Sequence, residues 1–114
     1  MPPLHLTLTA DRTPDEISRP DPARLIAGDP VHSTWLHEDR APLYAGMWQS
    51  TPGTWRVHYD EWEYFHVLSG RGTLTDAHGH ATPLEPGGRH ILRPGFSGKF
   101  EVTETLTKDF VILT

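Results

Sequence analysis

The segment His58 to Gly70, HYDEWEYFHVLSG, carries two histidines, three carboxylates and four aromatic rings in thirteen residues. Such a set suits three kinds of chemistry: ligation of a divalent cation, proton transfer between imidazole and carboxylate, and recognition of a small ligand. Which of these is available depends on which side chains share a face. Alternate side chains of a strand do, so EYFHVLS sets Glu63, Phe65 and Val67 on one side and Tyr64, His66 and Leu68 on the other. A carboxylate heading an otherwise apolar face is costly to bury unless it is paired, hydrogen-bonded or bound to a cation. Glu63 is therefore the first candidate. On the preceding strand Arg56 and His58 share one face and Trp55, Val57 and Tyr59 the other. If YDE is a hairpin turn that presents the Arg56/His58 face to Glu63, a cation, an imidazole and an acid converge. The bland alternative is a structural Arg–Glu pair across two strands.

The other histidines give weaker signals. His66 lies on the opposite face from Glu63 and reads as packing between sheets or at a subunit contact. His78 and His80 flank a turn, and His5, His32 and His37 have no partner visible by spacing. His90 shares an alternation with Leu92. Whether His90, Arg93 and Lys108 face a cavity is left open.

These residues must be positioned by strands. Eleven prolines and ten glycines punctuate the chain, and the segments between them are rich in Thr, Val, Trp, Tyr and Phe, the composition of short strands joined by turns. From Val31 onward, VHSTWLHE, LYAGMWQS, TWRVHY, EYFHVLS, RGTLTDA, HATPL, HILR, KFEVTE and DFVILT predict nine short strands, hence an all-β sandwich or small barrel. Residues 1–30 read as an irregular N-terminal arm with one alternating stretch, LHLTLT, and a helical turn at Pro22 to Ala27. Residues 31–114 read as a single barrel domain, and 114 residues enclose one core.

Composition removes several functions. There is no cysteine, which excludes disulfides, thiolate zinc sites, iron–sulfur clusters and cysteine nucleophiles. Ten Lys and Arg stand against fifteen Asp and Glu for a net charge of -5, with the basic residues scattered, so nucleic acid is not an expected partner. No apolar run reaches the roughly 18 residues of a membrane span, and no basic leader precedes an apolar stretch. The expectation is a soluble cytoplasmic protein with no membrane partner.

The same residues resemble the cupin superfamily, the double-stranded β-helix or jelly-roll barrel of RmlC-like proteins. Gly70, Glu63 and His58 match the closing glycine, the glutamate and a histidine of its first motif, and Gly87 and Gly95 match glycines of its second. The resemblance implies a divalent metal (Mn, Zn, Ni or Fe) held by histidines and a glutamate inside the barrel. Of those ligands only His58 and Glu63 are present. Arg56 stands in one histidine position, where a permanently charged guanidinium repels a cation, and Gly98 stands in another. The strings TPGTWRVHYDEWEYFHVLSG, RPGFSGKFEVTE and KDFVIL look like the small single-domain cupins of the (S)-ureidoglycine aminohydrolase type (Cupin_3, DUF861-like), with Phe100 in place of the usual Trp and Gly88 in place of an Asp.

Three readings follow. The first is a barrel binding or converting a small amino-acid or ureido-type metabolite without a full metal site. In it Trp48, Phe65 and Phe100 line the pocket, Arg56 clamps a ligand oxygen, and His58 and Glu63 are the acid–base pair. The enzyme class, if any, is a C–N hydrolase or an isomerase. The second reading is a Mn-type, metal-dependent aminohydrolase-like cupin, with His58 and Glu63 among the ligands. The third is a non-catalytic homodimeric accessory or binding protein, its interface built on exposed Trp35, Trp62 and Tyr64. A homodimer is expected in any case.

Overall fold

The structure, a computed structural model, describes residues 3–114. The described chain is all strand and loop: β1 (Glu16–Ser18), β2 (Leu25–Gly28), β3 (His32–Arg40), β4 (Leu43–Ser50), β5 (Gly53–His58), β6 (Trp62–Asp76), β7 (Ala81–Leu84), β8 (Arg89–Leu92) and β9 (Ser97–Leu113). No helix among the described residues is long and apolar enough to cross a membrane.

Two long strands organise the barrel. β9 pairs along its first half with β5 and along its second half with β4, while its other edge pairs with β6 almost end to end. β6 in turn carries β8 on Glu63–His66 and β7 on Gly72–Thr75. All pairings are antiparallel, and the sheet runs β1-β3-β4-β9-β5-β2 with β6, β7 and β8 joined through β9. A sheet sharing two long bent strands between its halves closes on itself as a jelly-roll barrel, as the sequence reading expects.

Four of the predicted short strands are really two long ones. EYFHVLS and RGTLTDA merge into β6, and KFEVTE and DFVILT merge into β9. The register between them shifts at Val67/Ser69, Ser69/Arg71 and Arg71/Gly72, so the chain bends through bulges where the sequence pattern suggested a break. Gly70 makes the bend possible. Its φ is +88°, and a Cβ there would collide with the Thr105 carbonyl oxygen.

The inward faces build the core. Phe65, Val67 and Leu74 of β6, Phe100, Val102, Leu106 and Phe110 of β9, Trp55 of β5, Leu84 of β7 and Leu92 of β8 form one buried cluster. Each such side chain contributes about 1.5–3 kcal/mol by leaving water.

The N-terminal segment departs from expectation in three ways. LHLTLT is not a strand, because no neighbouring strand pairs with it. The expected helical turn at Pro22 to Ala27 is a turn leading into β2, which pairs with β5, and β1 pairs with β3. Residues 9–15 lie over the outer face of β3: the Thr9 amide donates to His37 Nε2 (3.1 Å), the Arg12 guanidinium to the Leu36 carbonyl (3.0 Å), and the Leu36 amide to Asp15 (2.8 Å). Trp35 Nε1 donates to the Arg12 carbonyl, and the indole is 6% exposed. Trp35 is thus a covered residue and not the exposed interface aromatic expected from its sequence context.

Candidate functional site: a buried lysine–glutamate pair in an aromatic cavity

Glu63 is 5% exposed and faces the barrel interior. Its partner is neither Arg56 nor His58 but Lys108, itself 4% exposed, whose Nζ donates to Glu63 Oε2 at 2.8 Å. Lys108 stands in register with Val67 on one side and Trp48 on the other, and its stem carries the ammonium past Phe65 to Glu63. On the way Nζ lies 4.3 Å from the Phe65 ring centroid, 4.7 Å from Trp48 and 5.6 Å from Phe100. Ring faces attract a desolvated ammonium, so the cation is held by three aromatic walls and one carboxylate.

The pair borders a cavity of about 280 Å³ lined also by His32, Thr34, Trp48, Trp55, Tyr59, Phe100, Phe110 and Ile112. β3 and β4 bring His32, Thr34 and Trp48 to it, and β9 brings Phe100, Lys108, Phe110 and Ile112. Trp55 stacks on Phe100 with centroids 5.2 Å apart and planes 11° apart, and the His32 ring tilts against Trp55 and Trp48 at 4.6 and 5.1 Å. Of the residues expected in the pocket, Trp48 and Phe100 line it, and Phe65 lies under the Lys108 ammonium.

Arg56 and His58 are not there. β5 and β6 do not form a hairpin; they pair with opposite edges of β9, and the 59–61 loop carries the chain from one to the other. Alternation along β5 turns Trp55 and Val57 inward, which leaves Arg56 and His58 exposed. Burying an indole and a valine is favourable, whereas burying an unpaired guanidinium is costly, so this is the orientation that wins. The His58 ring meets Ser97 Oγ (2.6 Å) and Asp60 (3.0 Å). It lines only a separate recess of about 250 Å³ at the barrel mouth, which Glu63 and Tyr59 also border. Arg56, expected as a clamp, is therefore outside the cavity, and His58, expected as the acid–base partner, meets Glu63 only at the outer recess, while Lys108 and His32 are the polar groups beside Glu63 in the cavity itself. His66 does face away from the cavity, near Asp109 (3.7 Å), while His90 turns toward Phe65, with centroids 5.0 Å apart.

The metal implied by the resemblance does not fit these donors. Glu63 is already paired with the Lys108 ammonium at 2.8 Å, and His58 is outside the cavity. Gly98 offers no ligand, and a Cβ there would collide with the Thr75 carbonyl oxygen. No cluster of three or more His, Asp or Glu suited to a metal ion occurs among the described residues, against the three or more protein ligands such sites use.

The environment also sets protonation. Burial, and after it the charge of Lys108, pushes the His32 imidazole down from 6.5 to about 4. His90 is lowered by the same two causes, and burial followed by Glu63 holds the Tyr59 phenol well above its ordinary value. A lowered histidine means that the unfolded chain binds the extra proton first. The contribution of neutral His32 is therefore complete above about pH 6.5 and lost progressively down to about pH 4. The ring is only half-buried, so screening reduces the total to about 1–2 kcal/mol. Urea unfolding between pH 7 and 4.5 is expected to show this decline, and His32→Phe to flatten part of it; an unchanged slope in the variant would assign the decline to other groups.

Comparison with known proteins agrees with the fold. No curated protein shows a significant match. Among solved structures, a DUF861 protein of unknown function from Pseudomonas syringae pv. tomato superposes with a TM-score of 0.74 at 22% identity, covering 83% of this chain and 42% of that one. The EutQ protein of Clostridium difficile gives 0.66 at 18% identity, covering 74% of this chain and 68% of that one. The ectoine synthase of P. lautus gives 0.65 at 15%, covering 72% and 63%. The chain thus spans less than half the length of the P. syringae protein, and at these identities the likeness is one of fold. The EutQ-like cupin domain family matches residues 38–110, a span that includes β4 through most of β9 with both Glu63 and Lys108, and the chain belongs to that family of cupins.

Proposed function

We propose that this cupin binds a small polar metabolite of the amino-acid or ureido type inside its barrel, without a metal, using Glu63 and Lys108 as the polar end of an aromatic cavity. The observation that carries this reading is the buried Lys108–Glu63 pair at the cavity wall. Ligand sites are mostly apolar with a few convergent polar groups, and a volume of about 280 Å³ suits a molecule of metabolite size. The relation to the ureidoglycine aminohydrolase type rests on sequence resemblance. If the ligand is turned over, Glu63 is the group placed to accept a proton and Lys108 the one to stabilise developing negative charge, as a hydrolase of C–N bonds or an isomerase requires.

The test is a thermal-shift and calorimetric panel of small amino acids and ureido acids, run with and without EDTA. At least one compound is expected to raise the midpoint of the wild type equally in both conditions, and not that of a Glu63→Met/Lys108→Met variant. Binding that disappears with EDTA would instead support the metal-dependent reading, and silence from the whole panel would sink the proposal.

A second copy of the chain is the partner proposed for the outer face of β8, β6, β9 and β4. Ile91, Tyr64, Val111 and Ala45 form one row across it, beside a row holding Arg89, His66 and Asp109. Ile91 is 56% exposed and Leu113 48%. A two-fold copy can cover the apolar row and set Arg89 of one subunit against Asp109 of the other. Light scattering at micromolar concentration should report a dimer that Ile91→Glu dissociates; a monomeric wild type contradicts it.

A further inference from the structure

The buried pair leaves hydrogen-bonding capacity unspent. Among the described residues Lys108 Nζ has one hydrogen-bonding partner, Glu63 Oε2, and three aromatic rings lie around it. The Glu63 carboxylate uses Oε2 for this pair, and Oε1 accepts from no group among the described residues. His32, on the same cavity wall, has its Nε2 buried without a partner. Buried polar groups are normally satisfied, and here the His32 Nε2 and the Lys108–Glu63 pair lie on the wall of one aromatic cavity.

Charge narrows what can satisfy them. The cavity holds one cation and one anion, already 2.8 Å apart, and the imidazole beside them is neutral at ordinary pH. A carboxylate arriving at Lys108 leaves a second anion next to Glu63, and an amine arriving at Glu63 leaves a second cation next to Lys108. Either excess charge is buried without compensation, which is expensive in a low dielectric. An uncharged carboxamide edge adds no charge and offers the complementary pattern: its carbonyl oxygen accepts from Lys108 and its N–H donates to Glu63 Oε1. Both bonds are charge-assisted and so stronger than neutral ones. The walls formed by Trp48, Trp55, Phe100 and Phe110 give the rest of such a molecule apolar contact.

We infer that the cavity selects a small uncharged amide-type ligand, a carboxamide, lactam or urea on an apolar body, over the carboxylate or amine of the same skeleton. The inference rests on the cavity being a binding site and specifies the head group that it reads.

The experiment uses one skeleton with different heads: phenylacetamide, phenylurea, phenylacetate, phenethylamine and phenylalanine, titrated into the 114-residue chain at pH 7.5 by calorimetry and saturation-transfer NMR. Phenylacetamide or phenylurea is expected to bind at least tenfold more tightly than phenylacetate and phenethylamine, and to lose that preference in Glu63→Met/Lys108→Met. Equal or tighter binding of a charged head or of the zwitterion, still dependent on Lys108 and Glu63, overturns the head-group inference and leaves the binding site standing. Amide binding that persists unchanged in the double variant overturns it as well, by showing that the pair does not read the ligand. No binding by any member of the series overturns it too, whatever the amino-acid and ureido-acid panel finds.

Discussion

Lys108→Met is expected to cost about 3–5 kcal/mol of folding stability, and combining it with Glu63→Met is expected to restore most of that loss. The single substitution leaves the Glu63 carboxylate buried with its cation gone. The group must then stay charged in a low-dielectric site or take up a proton, and both options weaken the fold. The double substitution removes both charges and replaces them with flexible apolar chains that pack against Phe65, Trp48 and Phe100, the rings now facing Nζ. Urea denaturation of the two single variants and the double variant measures the coupling directly. A coupling energy below about 1 kcal/mol would mean that the pair is hydrated and not a buried unit. Glu63→Gln is expected to lower stability by the same logic, because it strands the Lys108 ammonium with only a neutral amide.

If the double variant is stable, the pair is kept for something other than stability. Well-packed apolar residues fill such positions at equal or lower free energy. A charged pair retained at the wall of a cavity is then explained by what the cavity receives, which joins the stability result to the ligand experiments.

How far these features could be read from the chain follows from how local they are. Glu63 was readable because Phe65 and Val67 flank it on one alternating face, so a carboxylate there had to have a partner. The same test applied to LTKDFVI identifies Lys108, which alternates with Leu106, Phe110 and Ile112, all of them buried or half-buried. The signal for the partner was therefore present, but Arg56 and His58 were closer in sequence, and His58 matched a motif position. Their placement rested on a YDE hairpin that does not form: both faces of TWRVHY look usable, yet only the one with Trp55 and Val57 gains by burial. His32 had no such signal. It reaches the cavity because β3 joins β4 and β4 joins β9, a closure no local pattern records. The barrel itself was plain from strand composition and turn residues, while the two long strands were hidden by bulges that look like loop sequence at Ser69 to Gly72.

Phe100→Ala is expected to be the most destabilising single change in the cavity wall, at about 3–5 kcal/mol. Phe100 is 1% exposed and belongs to the buried core cluster. Its ring stacks on Trp55, meets Trp48 edge-on at 5.8 Å and lies 6.4 Å from Phe65. Removing it therefore breaks several aromatic contacts at once and leaves a hole that two indoles cannot fill without moving. The hole opens into the cavity, so the survivor should accept a bulkier ligand than the wild type. Phe100→Trp does the opposite. The added ring overfills the floor, costs about 1–3 kcal/mol and occupies ligand space. Unfolding free energies of the two variants, with ligand binding at a temperature where both remain folded, distinguish these effects. Ala widening and Trp abolishing ligand acceptance places the ligand against Phe100. Equal binding by both would put it instead toward Tyr59, Glu63 and Ile112 at the barrel mouth, because those are the cavity residues that also border the outer recess.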